Sequence, residues 1–200
     1  MKKISVHTMC LAGVMAAVCF AGNYARIVLP VSVGGTTAFT LGNITCVLSG
    51  LLLGPIGGLA SGIGAACYDL TFPAYLSEVP FTFVNKGLMG LVAGLVASAG
   101  LRSGYREPWE AQPAVSSRAR YLRYLTGAIL GCLTYYVLYF LKSYFYNGLL
   151  LKDLQPAMAA LSLLEKVPAS IFNGAIAIAA APPLAVALGK ALRRAGLGTA

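Results

Sequence analysis

The chain has 200 residues, of which 58% are hydrophobic and 10% charged, and its mean hydropathy is +0.76. Soluble domains have about 25% charged residues, so this composition excludes an ordinary water-soluble domain and indicates a membrane protein. A formal net charge of +9 would suit nucleic-acid binding, but such proteins gather their charge on one polar face. Here the basic residues lie at the ends of apolar segments, so we expect a lipid bilayer around the chain and no nucleic-acid partner.

Ten of the 15 Lys and Arg residues fall into three clusters along the chain. They are Lys2–Lys3, five arginines between Arg102 and Arg123, and Lys190–Arg194. Cytoplasmic segments of membrane proteins are enriched in Lys and Arg. The clusters therefore predict a multi-pass protein of the cell membrane with both termini cytoplasmic and a cytoplasmic loop at about residues 102–123.

Six apolar segments alternate with polar connections, an even number that agrees with both termini lying on one side. They run over about Val6–Asn23, Phe39–Leu53, Ile56–Leu70, Phe81–Leu101, Tyr124–Tyr146 and Val167–Leu188. The second and third are shorter than the roughly 20 residues of a full span. We therefore predict an all-α integral membrane protein, a compact bundle of six transmembrane helices with a long first outer loop. The whole chain, residues 1–200, is expected to form this single domain.

The first segment follows Lys2 and Lys3 and resembles a secretory signal peptide. Signal peptidase requires small residues in an Ala-x-Ala arrangement, and Cys19-Phe20-Ala21 does not supply it. We therefore expect a first transmembrane helix. Its Ala12 and Ala16 form a small-residue face, which allows close helix packing either within the chain or against another membrane protein.

The loop from Ala25 to Thr40 is long for so compact a protein and contains β-forming residues around Gly34–Gly35. Two interpretations are open at this point. The loop is either a strand or hairpin that covers an outward cavity, or a connector without regular structure.

Gly54-Pro55 marks a tight break between the second and third helices. The third helix then carries Gly58 and Gly62 on one side, and the fourth carries Gly87, Gly90 and Gly94 on one side. Such faces let two helix backbones approach each other closely. We expect these two faces to pack within the chain.

Several polar side chains lie toward the outer ends of the apolar segments, where burial costs several kcal/mol unless they are paired or hydrated. They are Arg26, Asn43, Asp69, Asn85, Lys86 and Asn173. A cluster of donors and acceptors at one membrane level indicates a site for a polar solute. Asp69 and Lys86 are equally explained by a structural ion pair. Lys142 is expected to extend its ammonium group to the membrane interface.

Catalytic and metal-binding patterns are missing from the sequence. His7 is the only histidine, the five cysteines form no CxxC pair, and neither an HExxH nor a Walker A motif occurs. We therefore predict no catalytic residues, no metal and no cofactor.

Five short segments resemble the substrate-binding S components of energy-coupling factor (ECF) transporters. They are Leu41–Ile44, Leu53–Gly58, Gly62–Asp69, Asn85–Gly87 and Phe172-Asn173. The resemblance covers nearly the whole chain and is strongest to the group that includes riboflavin, folate and pantothenate carriers. Thiamine-type members have a Trp-rich pattern, which this chain lacks because Trp109 is its only tryptophan.

This resemblance implies a subunit without enzymatic activity that captures a vitamin or related micronutrient from outside. It implies a transmembrane coupling protein and two ABC-type ATPases as partners, with Ala12 and Ala16 facing the coupling protein. Arg26, Asn43, Asn85, Lys86 and Asn173 would bind the solute. The alternatives are a ligand-free membrane scaffold or assembly factor and, less favoured, an intramembrane enzyme.

The charges suggest which solute would be bound. Arg26 and Lys86 supply two cations, and Asp69 supplies one carboxylate. A carboxylate or phosphate on the solute would balance the excess through charge-assisted hydrogen bonds. We therefore expect an anionic vitamin, such as pantothenate or a folate, in preference to a neutral one.

Overall fold

The structure, a computed structural model, describes residues 6–31, 35–99, 116–146 and 155–195. Within these ranges six α-helices and one hairpin of two strands follow each other in chain order. They are α1 (Val6–Tyr24), β1 (Arg26–Val31), β2 (Gly35–Thr40), α2 (Gly42–Leu53), α3 (Pro55–Leu70), α4 (Val79–Ser98), α5 (Ser117–Lys142) and α6 (Pro156–Arg194). A 3₁₀ turn, Pro73–Glu78, joins α3 to α4.

Four helical segments are long and apolar enough to cross a bilayer. They are Val6–Tyr24, Pro73–Ser98, Ser117–Tyr146 and Pro156–Arg194. The short apolar helix α2 lies between α1, α3, α4 and α6 and buries almost every residue, with Leu51 and Val47 fully enclosed. The chain is thus an all-α, multi-pass membrane protein, as its composition predicts.

Glycines set the spacing of the helices around α2. Gly54 has a φ of 63°, which glycine adopts without strain, and its N–H donates to Gly50, so α2 ends and α3 begins within one residue. A Cβ on Gly90 of α4 would lie 2.9 Å from the Cα of Gly58 of α3, closer than real side chains come. The predicted packing of the third helix on the fourth is confirmed.

The predicted starts of three helices, the second, the fifth and the sixth, needed correction. The second helix begins at Gly42 rather than Phe39, because Phe39 and Thr40 belong to β2. The fifth begins at Ser117 rather than Tyr124, since the Ser116 hydroxyl caps the N–H of Ala119. The first part of the predicted cytoplasmic loop, residues 102–115, lies outside the described residues.

The sixth helix is longer than predicted at both ends, because it begins at Pro156 rather than Val167 and ends at Arg194 rather than Leu188. Proline suits the first turn of a helix, where its missing N–H has no partner to lose. The fourth helix ends at Ser98, and its predicted end at Leu101 lies outside the described residues.

The loop between α1 and α2 forms an antiparallel hairpin. Its register pairs Arg26 with Thr40 and Val31 with Gly35. Of the two interpretations of this loop, the hairpin is confirmed. Its base lies between the end of α1 and the start of α2, on top of a cavity in the bundle.

Candidate solute-binding cavity

A cavity of about 180 Å³ lies beneath the hairpin. Its walls come from the hairpin, the 3₁₀ turn and all six helices. They include Asn23, Arg26, Asn43, Tyr68, Asp69, Tyr75, Glu78, Thr82, Asn85, Lys86, Tyr135, Tyr139, Lys142, Ser170 and Asn173. The five residues predicted to bind a solute, and Asp69, therefore lie on one cavity, although they come from distant parts of the sequence.

Lys86 of α4 is buried, and its ammonium group donates a hydrogen bond to the side-chain oxygen of Asn43 on α2. The ring of Tyr135 on α5 lies 4.7 Å from the Lys86 nitrogen, in the geometry of a cation–π contact. Lys86 is thus held by an amide oxygen and an aromatic face. Among the described residues, Lys86 and Asp69 form no ion pair with each other. The ion pair at the cavity joins Lys142 and Glu78 instead.

Arg26, at the start of β1, lies between two tyrosines. Its guanidinium carbon is 5.1 Å from the ring centre of Tyr68 and 4.9 Å from that of Tyr75, and its Nη2 donates to the Tyr75 hydroxyl over 2.7 Å. These contacts attach the first strand of the hairpin to α3 and to the 3₁₀ turn. Arg26 therefore forms the cavity wall and fixes the hairpin base.

Asn173 of α6 holds the second strand of the hairpin. Its side-chain oxygen accepts from the N–H of Thr40 over 2.9 Å, and its side-chain nitrogen donates to the carbonyl of Ala38 over 2.7 Å. The amide thus pairs with the free edge of β2 as another strand would. Next to it, the rings of Phe39 and Phe172 meet edge to face at 4.9 Å. Both polar groups of Asn173 are engaged in holding the hairpin.

Asn85 differs from Asn173 in what its amide contacts. It is buried on α4 and lines the cavity, but no other described side chain or backbone group hydrogen-bonds its amide. The nitrogen of the Asn43 amide likewise has no partner in the described ranges, although its oxygen accepts from Lys86. Buried amides normally satisfy their donors and acceptors. These two groups are available to a solute in the cavity.

Lys142 departs from its sequence prediction. We expected it to reach the membrane interface, but its side chain is only 7% exposed and its ammonium lies 2.7 Å from the Glu78 carboxylate. The Phe81 ring, with its centre 5.5 Å from the ammonium, covers another side. The prediction was wrong because Glu78, on the 3₁₀ turn, supplies a counter-ion inside the protein. Lys142 and Glu78 both line the cavity.

Sequence reasoning also missed the aromatic walls. Tyr135 and Tyr139 stack at 5.6 Å with only 17° between their planes, and both rings face the cavity. Tyr68 and Tyr75 also line the cavity, around Arg26. A signal was present, because tyrosines four residues apart in an apolar helix share one face.

Small residues lie on two faces of α1, and which of the two meets a coupling protein stays a prediction. Ala12 and Ala16 are half-buried and pack against the chain's own core, and the carbonyl of Ala16 lies against Gly64 of α3. Gly13, Ala17 and Ala21 also repeat every four residues, and these three are exposed. The outward small-residue face of α1 is therefore the one formed by Gly13, Ala17 and Ala21.

The fold and cavity define a helical membrane protein built around a polar, aromatic-walled chamber. Within the described ranges, no three His, Cys, Asp or Glu side chains come together as a metal site. The family model for the ECF-type riboflavin transporter, S component, matches residues 3–190. The chain therefore belongs to this family of membrane-embedded substrate-binding subunits. A comparison with curated proteins found no match.

Proposed function

We propose that this chain captures a vitamin from outside the cell and releases it inward as part of an ATP-driven ECF importer. The observation that carries the proposal is the cavity itself. Asn43, Asn85 and Lys86 converge there from two helices, beneath a hairpin that is fixed on both strands. A concave site lined by polar and aromatic groups is what capture of a small polar solute requires.

The chemistry of the walls favours a solute with a flat, heteroatom-rich ring. Tyr135 and Tyr139 offer aromatic faces, while the open amides of Asn43 and Asn85 each offer donors or acceptors to a ring edge. Riboflavin, the vitamin in the family description, has such a ring. We therefore propose riboflavin or a vitamin of similar ring chemistry as the solute.

The arrangement of α5 and α6 supports an outward-facing cavity. The contact of Tyr136 with Ser170 and that of Ser143 with Lys166 show that the two helices run antiparallel. The arginines at the start of α5 and the basic end of α6 are thus at the same end of the bundle. A helix rises about 1.5 Å per residue. The cavity-lining residues of α5, Tyr135, Tyr139 and Lys142, therefore lie well away from its arginines, toward the other end of the bundle. With the basic end cytoplasmic, the cavity opens outside and both termini lie inside.

The exposed face of α1 is the surface that we propose for the coupling protein. Gly13, Ala17 and Ala21 allow a partner helix to approach the α1 backbone, and no element of the described chain covers them. The two ATPases would act through that coupling protein, because the sequence has no nucleotide-binding motif of its own.

The direct test is to purify the chain in mild detergent and identify co-purifying small molecules by mass spectrometry. We expect a vitamin at close to one molecule per chain, and its loss from Asn85→Ala. Thr134→Ala is the matched control, because its hydroxyl bonds the Leu130 carbonyl of its own helix and does not line the cavity. Absence of any bound vitamin, together with no binding of added riboflavin, would contradict the proposal and favour a ligand-free scaffold.

A further inference from the structure

The ion pair between Lys142 and Glu78 is a cavity feature that the proposed function leaves unexplained. Both of its members line the cavity, where a solute would be bound. Surface ion pairs contribute little to stability, but removing the partner of a buried cation strongly destabilises the folded protein. A charged group inside a binding cavity also attracts or repels the charged groups of every solute that enters the cavity.

The two partners are held very differently. Lys142 lies near the end of α5, 7% exposed, with the Phe81 ring against its ammonium and Tyr146 packed on that ring at 4.4 Å. Glu78 is 32% exposed and ends a 3₁₀ turn of six residues. The ammonium is therefore held in a buried position against an aromatic ring, and the Glu78 carboxylate is its ion-pair partner.

The other two cations at the cavity have partners of a different kind. The Arg26 guanidinium lies against the rings of Tyr68 and Tyr75, and Lys86 is bonded to the Asn43 oxygen. Asp69 is a second carboxylate on the same cavity. Among the described residues, Lys142 is thus the cavity cation that forms an ion pair with a carboxylate of the chain.

We propose that Glu78 determines the charge of the accepted solute, because its carboxylate occupies the place on Lys142 that an anionic group of a solute would take. An acidic solute must displace Glu78 or lie beside its negative charge, whereas a neutral one does neither. The cavity therefore selects neutral vitamins over their phosphorylated or carboxylated analogues. This inference rests on the proposed function, and it differs from the sequence-based expectation of an anionic solute, which was argued from Arg26, Lys86 and Asp69 alone.

Two pairs of compounds that differ in one anionic group provide the test: riboflavin with flavin mononucleotide, and panthenol with pantothenate. Affinities are measured by calorimetry on the detergent-purified chain. Glu78→Gln keeps the size and an acceptor oxygen but removes the charge. Glu165→Gln is the matched control, because Glu165 is a half-buried carboxylate on α6 that does not line the cavity.

We expect the parent to bind the neutral member of its preferred pair at least tenfold more tightly. Glu78→Gln should strengthen binding of the anion and so reduce that preference about tenfold or more. A factor of this size corresponds to one charge-assisted hydrogen bond. Binding of the neutral member should stay within about threefold, and adding Lys142→Met should abolish the gain. Glu165→Gln should leave the preference unchanged.

Two results would overturn the inference while leaving the proposed function standing. One is an unchanged preference in Glu78→Gln with the neutral vitamin still bound, and the other is a gain that persists when Lys142→Met is added. A parent that binds none of the four compounds and co-purifies with no vitamin refutes the proposed vitamin binding, and with it this selectivity.

Discussion

Replacing Asn173 with alanine should release the second strand of the hairpin without touching the rest of the cavity. The variant loses two neutral hydrogen bonds, to the N–H of Thr40 and the carbonyl of Ala38. Each such bond contributes about 0.5–1.5 kcal/mol, so the closed hairpin loses roughly 1–3 kcal/mol. Since 1.4 kcal/mol corresponds to a factor of ten, the ratio of closed to open hairpin should fall about 5- to 150-fold.

Stopped-flow measurement of flavin fluorescence gives the two rate constants that separate the possible roles of Asn173. If Asn173 positions the hairpin, solute enters and leaves more often, and both association and dissociation become faster in Asn173→Ala. If Asn173 instead bonds the solute, only dissociation becomes faster, because losing a contact in the bound state does not ease entry.

Ser170→Ala is the matched control for this experiment. Ser170 lines the same cavity one turn earlier on α6, but its hydroxyl donates to the Lys166 carbonyl within the helix. We expect its rate constants to equal those of the parent. An unchanged association rate in Asn173→Ala, with faster dissociation, would refute the role assigned to Asn173.

Three further substitutions test other parts of the account. Gly58→Ala places a methyl group against the Leu91 backbone and should lower the free energy of unfolding in detergent by about 1–3 kcal/mol. Gly13→Ala is the control, because Gly13 has open space around it and the change should not lower stability. Equal melting temperatures for the two variants would refute the packing argument. Ala17→Trp should prevent co-purification with the coupling protein and leave solute affinity unchanged, and intact complexes would exclude this face of α1. Lys86→Met should weaken vitamin binding about tenfold or more, and parental affinity would make Lys86 purely structural.

Much of the fold follows from the sequence for simple physical reasons. Long apolar runs have to be helical in a bilayer because their backbone groups have no water to bond, and the basic clusters mark where the chain returns to the same side. The ends of the helices follow less readily. α5 begins at Ser117 in an arginine-rich stretch that is polar enough for a loop, but outside the bilayer a polar sequence with a serine cap is also helical.

The cavity was predicted better than its internal contacts. Asn43, Asn85 and Lys86 were identifiable because polar groups are costly at membrane depth, and all three line the chamber. Which groups they contact depends on elements that are distant in sequence. Lys142 was misassigned because its partner Glu78 lies on a short turn whose position no periodicity reveals.

The orientation of α1 could not be deduced from its sequence. A soluble helix shows its buried side through apolar residues, but α1 is apolar on all sides, so its pattern carries little directional information. Both Ala12/Ala16 and Ala17/Ala21 have the spacing of a small-residue face. Packing against the core of the bundle identifies the first pair as the more buried one, and the carbonyl of Ala16 lies against Gly64 of α3.

The central claim is that the cavity beneath the hairpin binds the vitamin, and filling it is the most direct test. Thr82→Trp places a large ring among the lining residues, while Thr134→Trp puts the same ring outside the cavity. Titration of the purified chain with riboflavin should give one molecule bound per chain in the parent and in Thr134→Trp, and none in Thr82→Trp. Parental affinity in Thr82→Trp, in a chain that still folds, would show that the vitamin is bound elsewhere.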